Sequence, residues 1–378
     1  MRQVKSWPGQ ALLNLVLLLW RWSVRGLKPN LSQSHLPQRI FILRSNDLGD
    51  LLIITPLFAA IQQRYPKAEI LVGVGDWSRP VLENNPFVDR ILPINAPWHN
   101  KGVTQQELWQ RWCYLFTSPE LVALRALKPD VGIDIFGSAW GAMLLLRAGI
   151  PYRLGVRGYA GGAIAAQACI DYDPQLQVGR SALRFAQRLG ATELPIARPQ
   201  IFLTPTERQA AEQRWLSIAW GCHRIVIGPG SGQDDRYWPL ASYQALVKEL
   251  ASWQALCLML VGGGSDRTAA TQITQSVEAG STLWDWTGQL SLRETFALVA
   301  TADLVICNSS MLMHAAAAFT VETLVLLGEA FVSRRQHDRQ WGYESHYQSL
   351  GKEPGEQAKI ASPGAAIAQI RHLLNADF

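Results

Sequence analysis

A carboxylate, a guanidinium and three small-residue loops are the parts of this 378-residue chain from which a reaction can be assembled. The carboxylate is Asp50. It closes the segment Ser45-Asn46-Asp47-Leu48-Gly49-Asp50, directly after the apolar run Ile40 to Leu43. The run reads as a buried parallel strand, and Ser45 to Gly49 as a turn. Leu51, Leu52, Ile54, Leu57, Phe58 and Ile61 then recur at helical spacing. Open α/β sheets bind ligands at the carboxyl ends of their strands. Asp50 therefore sits where a ligand is expected, near the positive end of a helix dipole that favours its ionised form. A carboxylate there serves either as a helix cap or as a general base.

The other parts lie in the second half. Gly228-Pro229-Gly230-Ser231-Gly232 follows an apolar run and leads to Asp235-Arg236-Tyr237-Trp238-Pro239. Gly262-Gly263-Gly264-Ser265 follows a second run and opens a helix at Asp266. Asn308-Ser309-Ser310 follows a third, ending at Cys307, and opens another. Glycine and serine let backbone N–H groups approach an anion, and a helix N-terminus favours one. Together the three loops point to a phosphate-bearing ligand. None contains G-x-x-x-x-G-K-[ST], which excludes a P-loop. Gly228 to Gly232 also lacks the third glycine and immediate helix of a dinucleotide fingerprint. Each residue has an ordinary structural reading too: Arg236 a surface ion pair, Trp238-Pro239 core packing, His314 a buried helix histidine. Asp171-Tyr172-Asp173 is a lone D-x-D, a pattern that can hold a metal, but it runs into Pro174 and reads as a turn.

Positioning these groups takes strands alternating with helices. Strands are expected at 69–75, 88–94, 130–136 and 152–156, with helices at 104–128 and 139–147. The first of those helices puts Trp109, Trp112, Leu115 and Phe116 on one apolar face. The stretch Ala160 to Cys169 carries no readable pattern. Pro195 to Pro205 is proline-rich and reads as a linker. Beyond it, strands at 224–227, 256–261, 282–286, 304–307 and 323–327 alternate with helices at 207–220, 240–252, 266–277, 292–301 and 310–319. Residues 329–355 are polar and irregular, and 363–374 read as a closing helix. Such alternation predicts α/β architecture with doubly wound parallel sheets. The expected division is a basic amphipathic extension at 1–36, domains at 37–198 and 199–350, and a closing segment at 351–378.

Composition bounds the rest. With 48% hydrophobic and 17% charged residues the chain can bury full cores. Five scattered cysteines, none in a C-x-x-C pair, argue against a disulfide framework or a structural zinc site and favour a reducing, cytoplasmic compartment. The net charge is +5, yet residues 1–46 carry seven basic residues and no acidic one. The body is thus close to neutral, with no bulk positive charge calling for nucleic acid. The basic excess accompanies the apolar stretch 11–27, where Asn14, Arg21 and Arg25 share a narrow polar stripe on a helix. Leu15 to Trp20 is too short to span a bilayer. The segment reads either as a helix lying on an anionic membrane surface, the favoured reading, or as one packed on the protein.

Several of these segments together resemble glycosyltransferase family 9, the ADP-heptose:lipopolysaccharide heptosyltransferases and their relatives. Ser45 to Pro56 is similar to the family's S-x-x-G-D-x-x-x-x-x-P opening, and Asp235 to Pro239 to its K-x-W-P segment, with Arg236 at the lysine position. Thr287-Gly288-Gln289-Leu290-Ser291-Leu292 resembles T-G-x-x-S-L, and Cys307 to His314 resembles S-N-D-S-G-P-M-H. The resemblance covers roughly residues 38–328. It implies a GT-B fold, two Rossmann-like domains facing a cleft, a nucleotide-sugar donor and no metal or other cofactor. It also implies sugar transfer to a glycan or glycolipid acceptor of the cell envelope. By position, Asp50 becomes the base and Ser45, Asn46 and Gly49 fall on the acceptor side. Gly230, Ser231, Arg236, Gly263, Asp266, Gln289, Leu290, Asn308, Ser309, Ser310 and His314 fall on the donor side, with Ser309 and Ser310 at phosphate or ribose. The chain departs from the pattern at Ser309, where the family has aspartate, and at Met311 and Leu312, where it has glycine and proline. Ser309 leaves room for a second reading: a non-catalytic GT-B protein binding nucleotide or glycan at the membrane surface. A sugar-nucleotide epimerase on the same fold is a third.

Overall fold

The computed structural model describes residues 36–98, 100, 107–217, 221–232, 236–278, 280–353 and 360–374, together with residues 15 and 19. The amphipathic extension expected at 1–36 therefore lies outside the described residues, save its last position and those two. The chain forms two units, Met1–Ala197 and Arg198–Phe378. Among the described residues no helix is long and apolar enough to cross a membrane.

The first unit holds strands β1 (Arg39–Leu43), β2 (Glu69–Val74), β3 (Arg90–Pro93), β4 (Val131–Asp134), β5 (Tyr152–Arg157) and β6 (Ala168–Asp171). Its helices are α1 (Leu48–Leu52), α2 (Pro56–Arg64), α3 (Leu108–Thr117), α4 (Pro119–Ala126), α5 (Ala139–Arg147) and α6 (Val178–Arg188). The second unit holds β7 (His223–Gly228), β8 (Leu256–Leu260), β9 (Leu283–Asp285), β10 (Leu304–Cys307), β11 (Glu322–Leu326) and β12 (Gln348–Leu350). Its helices are α7 (Pro205–Leu216), α8 (Leu240–Ala251), α9 (Arg267–Thr274), α10 (Leu292–Ala300), α11 (Met311–Phe319), α12 (Arg334–Trp341) and α13 (Pro363–Leu373).

Both sheets are parallel throughout, with orders β3-β2-β1-β4-β5-β6 and β12-β11-β10-β7-β8-β9. Counted from its own first strand, each unit has the 3-2-1-4-5-6 order of a Rossmann sheet. The reversal of direction falls between β1 and β4 in one unit and between β7 and β10 in the other. These central strands are continuous apolar runs because helices cover both faces. Ile40, Phe41 and Ile42 are fully buried, as are Ile225, Val226 and Ile227.

Four local expectations are corrected. The helix expected to start near Asp50 is two helices. Backbone bonds of the tighter i to i+3 kind, Ile54 N to Leu51 O and Thr55 N to Leu52 O, end α1. Pro56, which lacks an N–H, starts α2. Asp50 is thus the third residue of α1 rather than its cap, and Asp47 holds the cap position. The segment at 104–128 also breaks, at Ser118-Pro119, and its Trp109 and Phe116 are exposed while Leu115 is buried. Ala160 to Cys169 contains a short 3₁₀ turn, Gly162–Ala165, and the start of β6. Residues 329–355 are not irregular: they supply α12 and the edge strand β12.

One ion pair braces the second unit. Arg293 on α10 donates to both oxygens of Glu207 on α7, each at 2.7 Å, and to the Phe202 carbonyl. Glu207 also closes the capping box with Thr204. The Arg293 hydrogen bonds, helped by those from Thr204, hold its carboxyl at about 2, well below the ordinary 4.5. A depressed carboxyl stabilises the fold fully above the unfolded value and loses that contribution as pH falls through the folded one. Glu207→Gln is expected to cost about 2 kcal/mol at pH 7, roughly 4–8 °C in melting temperature. The parent's margin over the variant should shrink as pH falls from 4.5 towards 2. Equal melting curves at pH 7 would show the pair to be inert.

Candidate active site

At the C-terminal edge of the first sheet, the chain leaves β1 through Arg44 and Ser45, both buried. The Arg44 amide bonds to the Gly73 carbonyl, which carries the extended backbone one residue past the strand. Arg44 then turns back onto α1. Its Nη2 lies 3.1 Å from Asp50 Oδ2 and its Nε donates to the Asp50 carbonyl at 3.2 Å. The Asp50 side chain keeps 25% of its surface open, against 6% for Arg44. Across the topological switch, Asp134 ends β4 and is 2% exposed. It accepts from the Ser138 amide at 2.8 Å and the Phe136 amide at 3.2 Å. Burial raises its carboxyl to about 7, against the pull of those amides and of the Arg44 charge. Two carboxylates thus flank one arginine, and their environments divide them. Asp134 is walled in, and Asp50 is the one an incoming molecule can reach.

Around Asp50 lie aromatic faces. The Arg44 guanidinium stands 5.9 Å from the Phe136 ring centroid. Phe136 packs on Tyr159 at 5.4 Å, and Tyr159 on Tyr172 at 4.6 Å. Trp77 donates its indole N–H to the Asn46 carbonyl. Gly49 accepts from the Ile53 amide inside α1 and offers no side chain to a ligand. Arg44, Asp134 and Tyr159 were not readable as site residues, because only the parallel pairings of β1 with β4 and of β4 with β5 bring them together.

At the corresponding edge of the second sheet, one amide organises the loops. Asn308, completely buried, accepts from the Trp238 amide at 2.9 Å and the Tyr243 hydroxyl at 3.1 Å. It donates to the carbonyls of Pro229 at 2.5 Å and Gly230 at 3.3 Å. The loop after β7 is therefore clasped to the end of β10, and Asn308 positions the site rather than reaching a ligand. Gly230 approaches Asp266 so closely that an added Cβ would lie 2.6 Å from its carboxylate. Asp266 itself accepts from the Gly263 amide at 2.8 Å. Gly288, at φ +69°, donates its amide to the Gly262 carbonyl, so the turn after β9 joins the cluster. Gln289 donates back to the Asp285 carbonyl, and Leu290 is half-buried beside it. The Ser231 hydroxyl is buried with no hydrogen-bond partner among the described residues.

Ser309 and Ser310 follow, with Ser310 at the N-cap position of α11. Ser309 Oγ lies 2.8 Å from His337 Nε2, on the α12 that sequence periodicity did not show. Arg236 belongs to the same cluster: its guanidinium stands 5.9 Å from the Phe331 ring centroid, and Phe331 meets His337 edge-on at 4.8 Å. His314 does not join the surface. It is buried, 2.5 Å from the Tyr343 hydroxyl, and burial takes its ring down to about 3, which keeps it neutral. His314 is a packed core histidine, its ring turned to Tyr343 and Trp341. Asp171 pairs with Arg157 at 3.2 Å, and Asp173 accepts from the Gln175 amide. Among the described residues no group of three or more His, Cys, Asp or Glu is placed to hold a metal ion.

The sequence profile described as glycosyltransferase family 9 (heptosyltransferase) matches residues 122–350, more than half of the chain. The chain belongs to glycosyltransferase family 9. It is similar to lipopolysaccharide heptosyltransferase 2 of Escherichia coli K12, 26% identical over 307 residues, covering 77% of this chain and 82% of the relative. Among solved structures it is similar to the ADP-heptose lipopolysaccharide heptosyltransferase II of E. coli, with TM-score 0.71, 23% identity, and 89% of this chain and 98% of that one covered. The E. coli heptosyltransferase WaaC solved with ADP matches with TM-score 0.65 and 17% identity over 89% and 98% of the two chains. Both likenesses agree with the fold described above, GT-B with two Rossmann-like domains.

For this glycosyltransferase family 9 member, the Asn308 clasp makes a direct prediction. Asn308→Ala leaves two buried donors and two carbonyls without their partner. It should destabilise the protein by on the order of 3 kcal/mol, roughly 6–12 °C in melting temperature. An unchanged melting temperature would mean that the loops hold without the amide.

Proposed function

We propose that this glycosyltransferase moves a heptose from ADP-heptose to a glycan or glycolipid acceptor in lipopolysaccharide assembly, with Asp50 as general base. The observation that carries the reading is Asp50: an accessible carboxylate at the switch point of the first sheet, oriented by Arg44, at the aspartate of the family's opening signature. The relatives named lipopolysaccharide heptosyltransferase 2 support the donor and acceptor classes. ADP is the nucleotide to test first because a structural neighbour was solved with it.

In this reaction an acceptor hydroxyl oxygen forms a bond to the anomeric carbon while the bond from that carbon to the diphosphate oxygen breaks. The hydroxyl proton passes to Asp50, and the electron pair leaves with the nucleoside diphosphate. The aromatic faces of Phe136, Tyr159 and Tyr172 offer flat surfaces on which an acceptor sugar packs. On the donor side, Arg236 and the amides at the start of α11 meet the growing phosphate charge. The reading assigns no step to a metal, as the family resemblance implies. The second reading, a protein that binds without turnover, rests on Ser309 standing in place of the family aspartate.

Asp50→Asn keeps the side chain's size but not its proton acceptor. Transfer from ADP-heptose to acceptor extract should fall by about 10²–10⁴-fold, with ADP affinity within a few-fold and melting temperature little changed. A variant as fast as the parent removes Asp50 from the chemistry. No binding of ADP, UDP or GDP by calorimetry would favour the non-catalytic reading.

The basic, apolar segment within residues 1–36 supports a place on the inner face of an anionic membrane. The full chain should float with anionic liposomes at low salt and detach as salt rises. A chain lacking residues 1–30 should stay at the bottom of the gradient. Equal flotation of the two discards the membrane role for this segment.

A further inference from the structure

Ser309 is a departure from the family pattern, and its surroundings define what its hydroxyl can do. Its Oγ is 2.8 Å from His337 Nε2. The other ring nitrogen, Nδ1, faces Asp338 Oδ1 at 3.2 Å and the Tyr347 hydroxyl at 3.2 Å. Asp338 is crowded with donors. Ser349 Oγ lies 2.7 and 2.8 Å from its two oxygens, and Tyr347 donates to Oδ1 at 2.8 Å. Burial works to raise the Asp338 carboxyl, but the bonds from His337, Ser349 and Tyr347 outweigh it and keep it ionised. His337 is 2% exposed, and burial lowers its ring's proton affinity, so it carries one proton.

These facts fix where that proton sits. An ionised carboxylate only accepts, and the Tyr347 proton is already committed to Asp338. The His337 proton therefore belongs on Nδ1, and Nε2 presents a bare lone pair. A bare Nε2 at 2.8 Å needs a donor, and that donor is the Ser309 hydroxyl. With its single proton committed to His337, Ser309 Oγ has only lone pairs left to offer. A group with only lone pairs repels a phosphate oxygen and attracts a hydroxyl proton. Of the two contacts expected for Ser309, phosphate or ribose, this polarity favours a hydroxyl.

We propose that Ser309, held as a hydrogen-bond acceptor by His337 and Asp338, binds a hydroxyl group of the nucleotide-sugar donor, on its ribose or on its transferred sugar. Arg236, joined to His337 through Phe331, takes the phosphates beside it. His337 and Asp338 are positioning residues that act through Ser309. The arrangement does with a neutral pair what the family's aspartate would do with a charge: it presents an acceptor. The inference rests on the nucleotide-sugar reading proposed above.

The test uses the full chain with three probes, ADP-heptose, ADP and inorganic pyrophosphate, titrated by calorimetry into the parent, Ser309→Ala and Asp338→Asn. In parallel, nitrogen-15 spectra of histidine-labelled protein read the His337 tautomer. The expected parent spectrum shows His337 neutral, with its proton on Nδ1. Ser309→Ala should weaken ADP-heptose by about tenfold, the worth of one hydrogen bond, and leave pyrophosphate unchanged. An equal loss for ADP places the contact on the ribose; a loss for ADP-heptose alone places it on the sugar. Asp338→Asn, checked by its melting curve, should move the His337 proton to Nε2 and reproduce the ADP-heptose loss with Ser309 intact. A parent His337 carrying its proton on Nε2 overturns the proposal. So does a pyrophosphate loss as large as that for ADP-heptose, or unchanged ADP-heptose binding in Ser309→Ala. If the parent binds none of the three probes, the donor reading itself fails and takes this proposal with it. A parent that binds ADP-heptose beside an unaffected Ser309→Ala removes the proposal alone.

Discussion

The second domain's site hangs on the side-chain amide of Asn308. A buried amide with all its partners supplied is rigid, and one left short is costly, so such groups fix geometry rather than merely adding stability. Here four bonds join the end of β10 to the loop after β7, to the Trp238 backbone and to the Tyr243 hydroxyl on α8. Gly230, Ser231 and Arg236 all lie on the tethered segment. The loops after β8 and β9 then settle against it through Asp266 and Gly288. Ser309 follows the amide directly, so the same clasp sets where its hydroxyl points.

The first domain solves a different problem, how to keep one carboxylate available beside another. Two ionised carboxylates around a single arginine would compete for it. Burial resolves the competition. Asp134 is enclosed by α5 so tightly that a side chain at Gly141 would collide with it, and its proton is retained up to about neutral pH. Arg44 is then left to hold Asp50 in place. For Asp134 the sign runs opposite to Glu207: a raised carboxyl favours the fold at acid pH and costs stability as pH rises towards 7.

Much of this was legible in the sequence, and the exceptions have physical causes. Strands such as β1, β8 and β10 declared themselves because fully buried parallel strands carry unbroken apolar runs. The loops after them were readable from glycine and serine. What failed was α12, whose sequence, Arg-Arg-Gln-His-Asp-Arg-Gln-Trp, has no apolar stripe. It docks chiefly through His337, a polar residue whose burial is sustained by Ser309 and Asp338. Periodicity finds helices that bury apolar faces, and this one does not. Edge strand β12 has three residues, below the length at which alternation can be seen. His314 misled in the reverse sense: its position matched a family motif, but a matched position does not tell which way a ring faces.

The proposed reaction gives the electrostatics of the two halves different tasks. A well-placed base contributes about 10²–10⁴-fold, or roughly 3–5 kcal/mol. A preorganised donor to developing charge contributes on the order of 3–4 kcal/mol. Enzymes accelerate reactions by about 10⁶-fold at the least, so neither device suffices alone. On the reading proposed above, the first domain offers the proton acceptor. In the second, two carboxylates are engaged by the protein itself, Asp266 by the Gly263 amide and Asp338 by Tyr347 and Ser349, and a neutral serine stands where the family has aspartate. On the same reading, a leaving diphosphate at that edge meets Arg236, backbone amides and hydroxyls. Replacing the family's aspartate by a serine tied to histidine therefore removes a repulsion without removing an acceptor, and that is consistent with a working donor site rather than a lost one.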